Sequence, residues 1–287
     1  MTTKNYLSIY AKSFNWSGFF LPKKIYFKCS VLYDFCRTID NIADQNVDLE
    51  IKRKELKIFR AKFDERNEVD SVIKNMWGLM NERNISKKII NDLFDGVNSD
   101  LKEEVRIKSE KELLIYSYRV AGTVGLMMAK IFGVKKRESL QRAIDLGIAM
   151  QLTNIARDVV EDEKKNRVYL IKNSEDLFTN IKATISKANS FYDSSFEGIK
   201  DIPLSCRFSI IVARRVYREI GKEILKKKDI ESYRNAGKIY VSTFGKLIQT
   251  FFSLKDLIFL FFIKRKKYEK EDEYNIINED IGLNERI

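Results

Sequence analysis

Apolar residues recur through most of this chain at spacings of three and four, and that period predicts helix after helix. A lead-in over residues 1–20 ends at Leu21-Pro22, and a helix is expected from Pro22, a residue suited to a first helical turn, to about residue 44. Helical periodicity continues over 48–66 and 69–82, then over a shorter stretch, 84–98, with Gly96 near its end. A long apolar helix is expected over 110–132, closed by Gly133. Helices over 136–166, 173–200, 204–228 and 230–263 complete the pattern. No stretch alternates as a strand would, and no linker is rich in Pro, Gly or Ser. The expectation is an all-α chain: one domain over 1–263, then a basic and finally polar tail over 264–287 that lacks periodicity.

Two stretches put polar side chains where a buried helix normally carries apolar ones. At about 100° per residue, Tyr33, Arg37, Asp40 and Asp44 share roughly 60° of arc, and Gln151, Asn154, Asp158, Glu161 and Asp162 share roughly 100°. Carboxylates four residues apart repel by a few tenths of a kcal/mol on an exposed helix. The cost is much larger in a bundle interior unless cations intervene. The stripes therefore either face solvent or bind metal. Apolar flanks, and an arginine beside each stripe (Arg37, Arg157), favour metal. Two facing carboxylate pairs can hold divalent metal against a diphosphate.

Composition narrows the chemistry. The 287 residues are 44% hydrophobic with only 12 glycines and 2 prolines, which fits a large helical core. Histidine is absent, which removes Ser-His-Asp and Cys-His catalysis and every His-ligated metal, so any metal must be held by oxygen and suits Mg²⁺ or Mn²⁺. Cys29, Cys36 and Cys206 lack metal-ligand spacing and read as core thiols in a reducing compartment. The net charge of +12 could attract nucleic acid, an anionic membrane or an anionic substrate. Basic residues are scattered without a recognition motif, so no nucleic-acid partner is expected. Residues 1–10 lack an apolar run behind a basic start, so no signal peptide is expected and the location is read as cytoplasmic.

The segment Gln151-Leu-Thr-Asn-Ile-Ala-Arg-Asp-Val-Val-Glu-Asp162, followed by Asn166-Arg167-Val168-Tyr169-Leu170, resembles the second aspartate-rich signature of the squalene and phytoene synthase family. Cys36-Arg37-x-x-Asp40-x-x-x-Asp44 resembles the first, Tyr118-Arg-Val-Ala-Gly-Thr-Val-Gly125 a third segment, and Ser13-Phe14 upstream of Leu21-Pro22 a fourth. The run from Ala143 to Asn154 looks most like bacterial phytoene synthases. The resemblance implies an isoprenoid-synthase helical bundle with a central catalytic cavity that joins two prenyl diphosphates head to head. It implies Mg²⁺ held by Asp40, Asp44, Asn154, Asp158 and Asp162. Diphosphate oxygens would be bound by Arg37, Arg157, Tyr33, Gln151 and Ser13, with Tyr217 near a diphosphate and Tyr118 near the reacting carbons. Asn41 stands where many phytoene synthases have a second consecutive aspartate, and Ile171 where proline is usual after Tyr-Leu.

The expected reaction makes 15-cis-phytoene from two geranylgeranyl diphosphates and uses no NADPH. The runner-up is a squalene or dehydrosqualene synthase using farnesyl diphosphate. A more distant alternative is a non-enzymatic respiratory-complex assembly factor of the same fold, expected to have lost metal-binding aspartates that this chain keeps. Gly122-Thr-Val-Gly125 reads as close helix packing that also leaves room for a prenyl chain; without a preceding strand or third glycine it is no dinucleotide fingerprint. Arg214 and Arg215 read as surface charges. Residues 247–263, followed by Lys264-Arg-Lys-Lys267, are either a final core helix or an anchor on an anionic membrane surface; Lys255-Asp256 argues against a spanning helix.

Overall fold

The computed structural model describes residues 16–287 of the chain, so Ser13 and the reading of residues 1–10 lie outside the described residues. The first long helix, α1 (Lys23–Asp44), starts directly after Pro22 and carries the first polar stripe. Helices α2 (Leu49–Asp64), α3 (Ser71–Arg83) and α4 (Lys87–Ser99) come next. Asp70 caps α3 by accepting from the Val72 and Ile73 amides, and Ser86 caps α4 through Lys88. Phe35 of α1, Phe59 and Phe63 of α2 and Phe94 of α4 meet as a ring cluster with centroids 5.3–6.2 Å apart. That cluster fixes the polar stripe of α1 toward the opposite side of the helix.

The helix expected over 110–132 is continuous but not uniform: α5 (Glu110–Ser117) runs through a π-helical turn (Tyr118–Gly122) into α6 (Thr123–Ile131). The helix expected over 136–166 is α7 (Arg137–Arg157), broken at Asp158, and a short α8 (Val159–Glu163). The break has a distant cause. The Tyr233 hydroxyl donates to the carbonyls of Ala156 (3.0 Å) and Arg157 (2.7 Å), acceptors that a continuing helix would have used. Strands β1 (Val105–Arg106) and β2 (Arg167–Val168) pair in parallel, Val105 opposite Arg167, a ribbon too short to leave an alternation in sequence. Then come α9 (Leu177–Ser195), a 3-10 turn (Phe196–Asp201), α10 (Leu204–Leu225), α11 (Ile230–Asn235) and α12 (Thr243–Phe262). Gly237, at φ +61°, makes the bend that splits the helix expected over 230–263.

α7 is the central helix, buried on most sides. Gly147 lies where a Cβ would come within 2.3 Å of the Ala121 carbonyl, and a Cβ on Gly125 within 2.2 Å of the Ala143 carbonyl. The close-packing reading of this glycine segment therefore holds. Arg214, expected at the surface, is buried: its Nε donates to the Tyr192 carbonyl and burial pulls its pKa down to about 10. Arg215 is spent on Asp256 and Gln249 of α12.

The tail read as aperiodic folds onto the bundle. α13 (Glu271–Ile281) buries Tyr274 and Ile277, and Leu283 after it is fully buried. Arg286 makes a two-pronged pair with buried Asp92 of α4, at 3.0 and 3.1 Å. The sequence hid this because the apolar residues are few and the anchors are ionic.

Candidate active site

Two cavities meet between α1 and α7. The first, about 310 Å³, is apolar and lined by Leu32 and Cys36 of α1, Val124 and Met128 of α6, Leu146 and Met150 of α7, and Ile199, Ile202 and Ala213 beyond. The second, about 360 Å³, is polar and holds Arg37, Asp40, Asp44, Asp100, Arg157, Asp158, Glu161 and Asp162. Asp40, Val120, Gln151 and Asn154 line both, so the greasy chamber opens into the charged one. Tyr33 and Tyr217 line the apolar side. Every expected site residue that the structure describes lines one of the two chambers, except Tyr118.

Tyr118 is a correction. It is fully buried, its hydroxyl donates to Asp92 at 3.0 Å, and it lines neither chamber. The π turn is the reason. A π turn holds more residues than an α turn and so rotates the facing of every later residue on the helix. It turns Val120, Ala121 and Val124 to the cavity and leaves Tyr118 against α4. Tyr116, two residues earlier, lines the polar chamber instead.

The chamber also holds residues that sequence reasoning did not place there. Asp100 accepts from Tyr116 (3.0 Å) and Tyr169 (2.7 Å), whose rings stack at 4.7 Å. Arg167 and Lys165 approach Asp44 at 3.7 and 3.2 Å. Lys238, in the bend before α12, reaches Asp158 at 3.3 Å and Glu161 at 2.6 Å. Arg167 and Tyr169 stood within the second signature; Asp100 and Lys238 sit in loops without period and left no signal.

Charge compensation here is incomplete. Asp158 is gripped in two prongs by Arg157, at 2.8 and 2.6 Å. Asp40 faces the chamber's interior space but is ringed by protein. That loss of hydration, opposed by Arg37 and reinforced by Asp44 and Asp100, pushes it up to about 7. Burial and the neighbouring Asp158 push Asp162 to about 7 as well. Neither side chain has a hydrogen-bond partner among the described residues. Burial likewise pushes Tyr33 up to about 12.

Among the described residues no group of three or more acidic or thiol side chains is already gathered around one ion position. The two stripes face each other across the chamber with Lys165, Arg167 and Lys238 holding their outer ends. The donor set still fits a hard divalent cation: it is all oxygen, two of its carboxylates lack partners, and the buried Oδ1 of Asn154 has none.

The chain is similar to known proteins in both sequence and fold. A profile of the squalene/phytoene synthase family matches residues 8–173. A 15-cis-phytoene synthase of a Paracoccus species is 40% identical over 157 residues, 50% of this chain and 51% of the relative. A phytoene synthase of Cereibacter sphaeroides is 31% identical over 243 residues, 75% of this chain and 68% of the relative. A crystal structure of a ligand-bound dehydrosqualene synthase superposes with a TM-score of 0.74 at 25% identity, covering 88% of this chain and 94% of that one. The chain belongs to the squalene/phytoene synthase family, with the isoprenoid-synthase helical fold expected of it. Several of the curated relatives it matches, the Paracoccus protein among them, are spanned over only about half their length.

Proposed function

We propose that this chain condenses two geranylgeranyl diphosphates head to head into 15-cis-phytoene. The observation that carries the reading is the continuity of the two chambers: a prenyl tail fits the apolar one while its diphosphate reaches the charged one, with Asp40, Gln151 and Asn154 at the join. Arg37 and Arg157 would bind diphosphate oxygens as fixed donors, with Tyr33, Gln151 and Tyr217 adding hydrogen bonds. Ser13 is assigned the same task. Asp40, Asp44, Asn154, Asp158 and Asp162 would hold Mg²⁺, or Mn²⁺ in its place. That metal supplies Lewis-acid neutralisation of the charge that develops on the leaving diphosphate.

The residues then shape the reaction. The first allylic C–O bond breaks, and its electron pair leaves with the diphosphate toward Arg37 and Arg157. The apolar wall at Val124, Met128 and Leu146 keeps water from the carbocation. The second prenyl double bond attacks, a proton is lost, and a cyclopropyl diphosphate forms. A second ionisation and rearrangement link C1 to C1′, and loss of another proton gives the triene. Released diphosphate can take the protons, so NADPH is not required. The enzyme would work in the cytoplasm as a peripheral protein on an anionic membrane, since product and substrates are greasy. The catalytic unit assigned to residues 1–263 would depend on the C-terminal segment, through Arg286 and Tyr268.

The similarity to a dehydrosqualene synthase over most of the chain favours farnesyl diphosphate as the second reading. Product analysis separates the two. Incubation with the C20 diphosphate and Mg²⁺, without NADPH, should give phytoene. An inert C20 substrate, with the C15 substrate converted to dehydrosqualene, or to squalene only when NADPH is added, would install the second reading.

A further inference from the structure

α12 is inside out. At about 100° per residue, Phe244, Leu247, Phe251, Ile258, Phe261 and Phe262 share about 100° of arc, and they are 52–79% exposed. The opposite side carries Gln249, Ser253 and Asp256, which face the protein. Arg215 binds Gln249 at 2.9 Å and Asp256 at 2.6 Å, and Thr250 accepts from the Trp16 indole at 2.9 Å. A surface helix of a water-bathed protein has the reverse polarity, and six such side chains make an apolar patch on the order of 600 Å². The core-helix reading of this segment is therefore replaced.

We infer that this face of α12 lies in the plane of an anionic lipid surface, with its apolar arc among the acyl chains and the flanking lysines on the headgroups. No helix among the described residues is long and apolar enough to cross a membrane, so α12 would lie on the bilayer. Lys255 stands at the edge of the apolar arc, and exposed Lys264, Lys266 and Lys267 lie just past the end of the helix; Arg265 is engaged by Asp201 at 2.6 Å. A second copy is a poor occupant, because two chains of net charge +12 would bring these lysines together. The face also backs onto the apolar chamber. Phe259 stacks on Phe196 at 6.5 Å, at the start of the 3-10 turn whose Ile199 lines that chamber. This rests on the prenyl-diphosphate reading only for its motive and extends it by assigning the face, the orientation and the lipid charge.

The test is co-sedimentation of the full chain with phosphatidylcholine vesicles and with vesicles containing phosphatidylglycerol, without substrate. Binding should favour the anionic vesicles. Phe251→Glu with Ile258→Glu should weaken it at least tenfold while circular dichroism and turnover in detergent stay normal. Replacing Lys264, Lys266 and Lys267 with Gln should weaken anionic binding on the order of 100-fold and remove its salt dependence. Wild-type binding by the Phe251/Ile258 variant would overturn the assignment. So would a solution dimer that the same variant dissolves, which would give the face to a second copy. Vesicle binding without substrate stands or falls independently of which diphosphate is consumed.

Discussion

Two acidic clusters flank α7, one buried and one facing the chamber, and show why a raised pKa does not by itself mark a site. Asp145, on the side facing α9, is pushed to about 7 by burial, as Asp40 and Asp162 are. Asp145, however, is satisfied: Ser194 donates to one oxygen at 2.6 Å and Tyr268 to the other at 2.9 Å, with Arg142 nearby. The Asp92 cluster is also complete, closed by Tyr118 and Arg286. In the chamber, Asp40 and Asp162 have the same shift and no hydrogen bond among the described residues. Desolvation is common to both regions; the difference is missing partners. A finished cluster supports the fold, and an unfinished one awaits a ligand.

The largest test of that contrast is chemical. Asp40→Asn or Asp158→Asn should lower turnover by at least about 10²-fold, a scale set by losing one charge-stabilising group. Helical circular dichroism should be intact, and EDTA should stop the wild-type reaction. Near-normal activity in either variant would remove the metal role. On the finished side the effect should be on stability. Arg286→Ala leaves Asp92 short of its counter-charge and should cost on the order of 3 kcal/mol, read as a lower denaturation midpoint. Deletion after Asp272 should cost more, since Tyr274, Ile277 and Leu283 go with it. A truncated chain as stable as the intact one would show that the C-terminal segment is dispensable.

The smallest effect is a pH slope. Asp40 and Asp162 rise from an ordinary 3.8 to about 7 in the fold, so between those values the folded chain binds more protons than the unfolded one. Their contribution is present at acid pH and is lost as pH rises from about 4 through about 7. Asp201, lowered to about 2 by Arg265, Ser139 and Lys136 against the opposing effect of burial, acts oppositely and only below about 4. Denaturation at pH 5 and pH 8 without divalent ions should show this fall, and Asp40→Asn should flatten part of it. An equal slope in the variant would mean Asp40 is already ionised.

Much of this was legible because the stripes have a period. Arg37, Asp40 and Asp44 could be placed on one face of α1, and Gln151 and Asn154 on one of α7, before any fold was known. What stayed hidden was set by single-residue or distant events. The π turn exchanges Tyr118 for Tyr116 without disturbing the apolar pattern. The Asp158 break is set by Tyr233, which approaches from a helix much later in the chain. The orientation of α12 depends on which side of it Arg215 binds, and an apolar run cannot encode that.

Direct titration of Mn²⁺ into the full chain with inorganic diphosphate is the most immediate test that the unfinished cluster is a cation site. A cation site there predicts heat at pH 8, weaker binding accompanied by proton release at pH 6, where Asp40 and Asp162 hold their protons, and loss of binding in Asp40→Asn and Asp162→Asn. Equal binding in wild type and both variants, or no binding by a chain that still turns over prenyl diphosphate in EDTA, would contradict it.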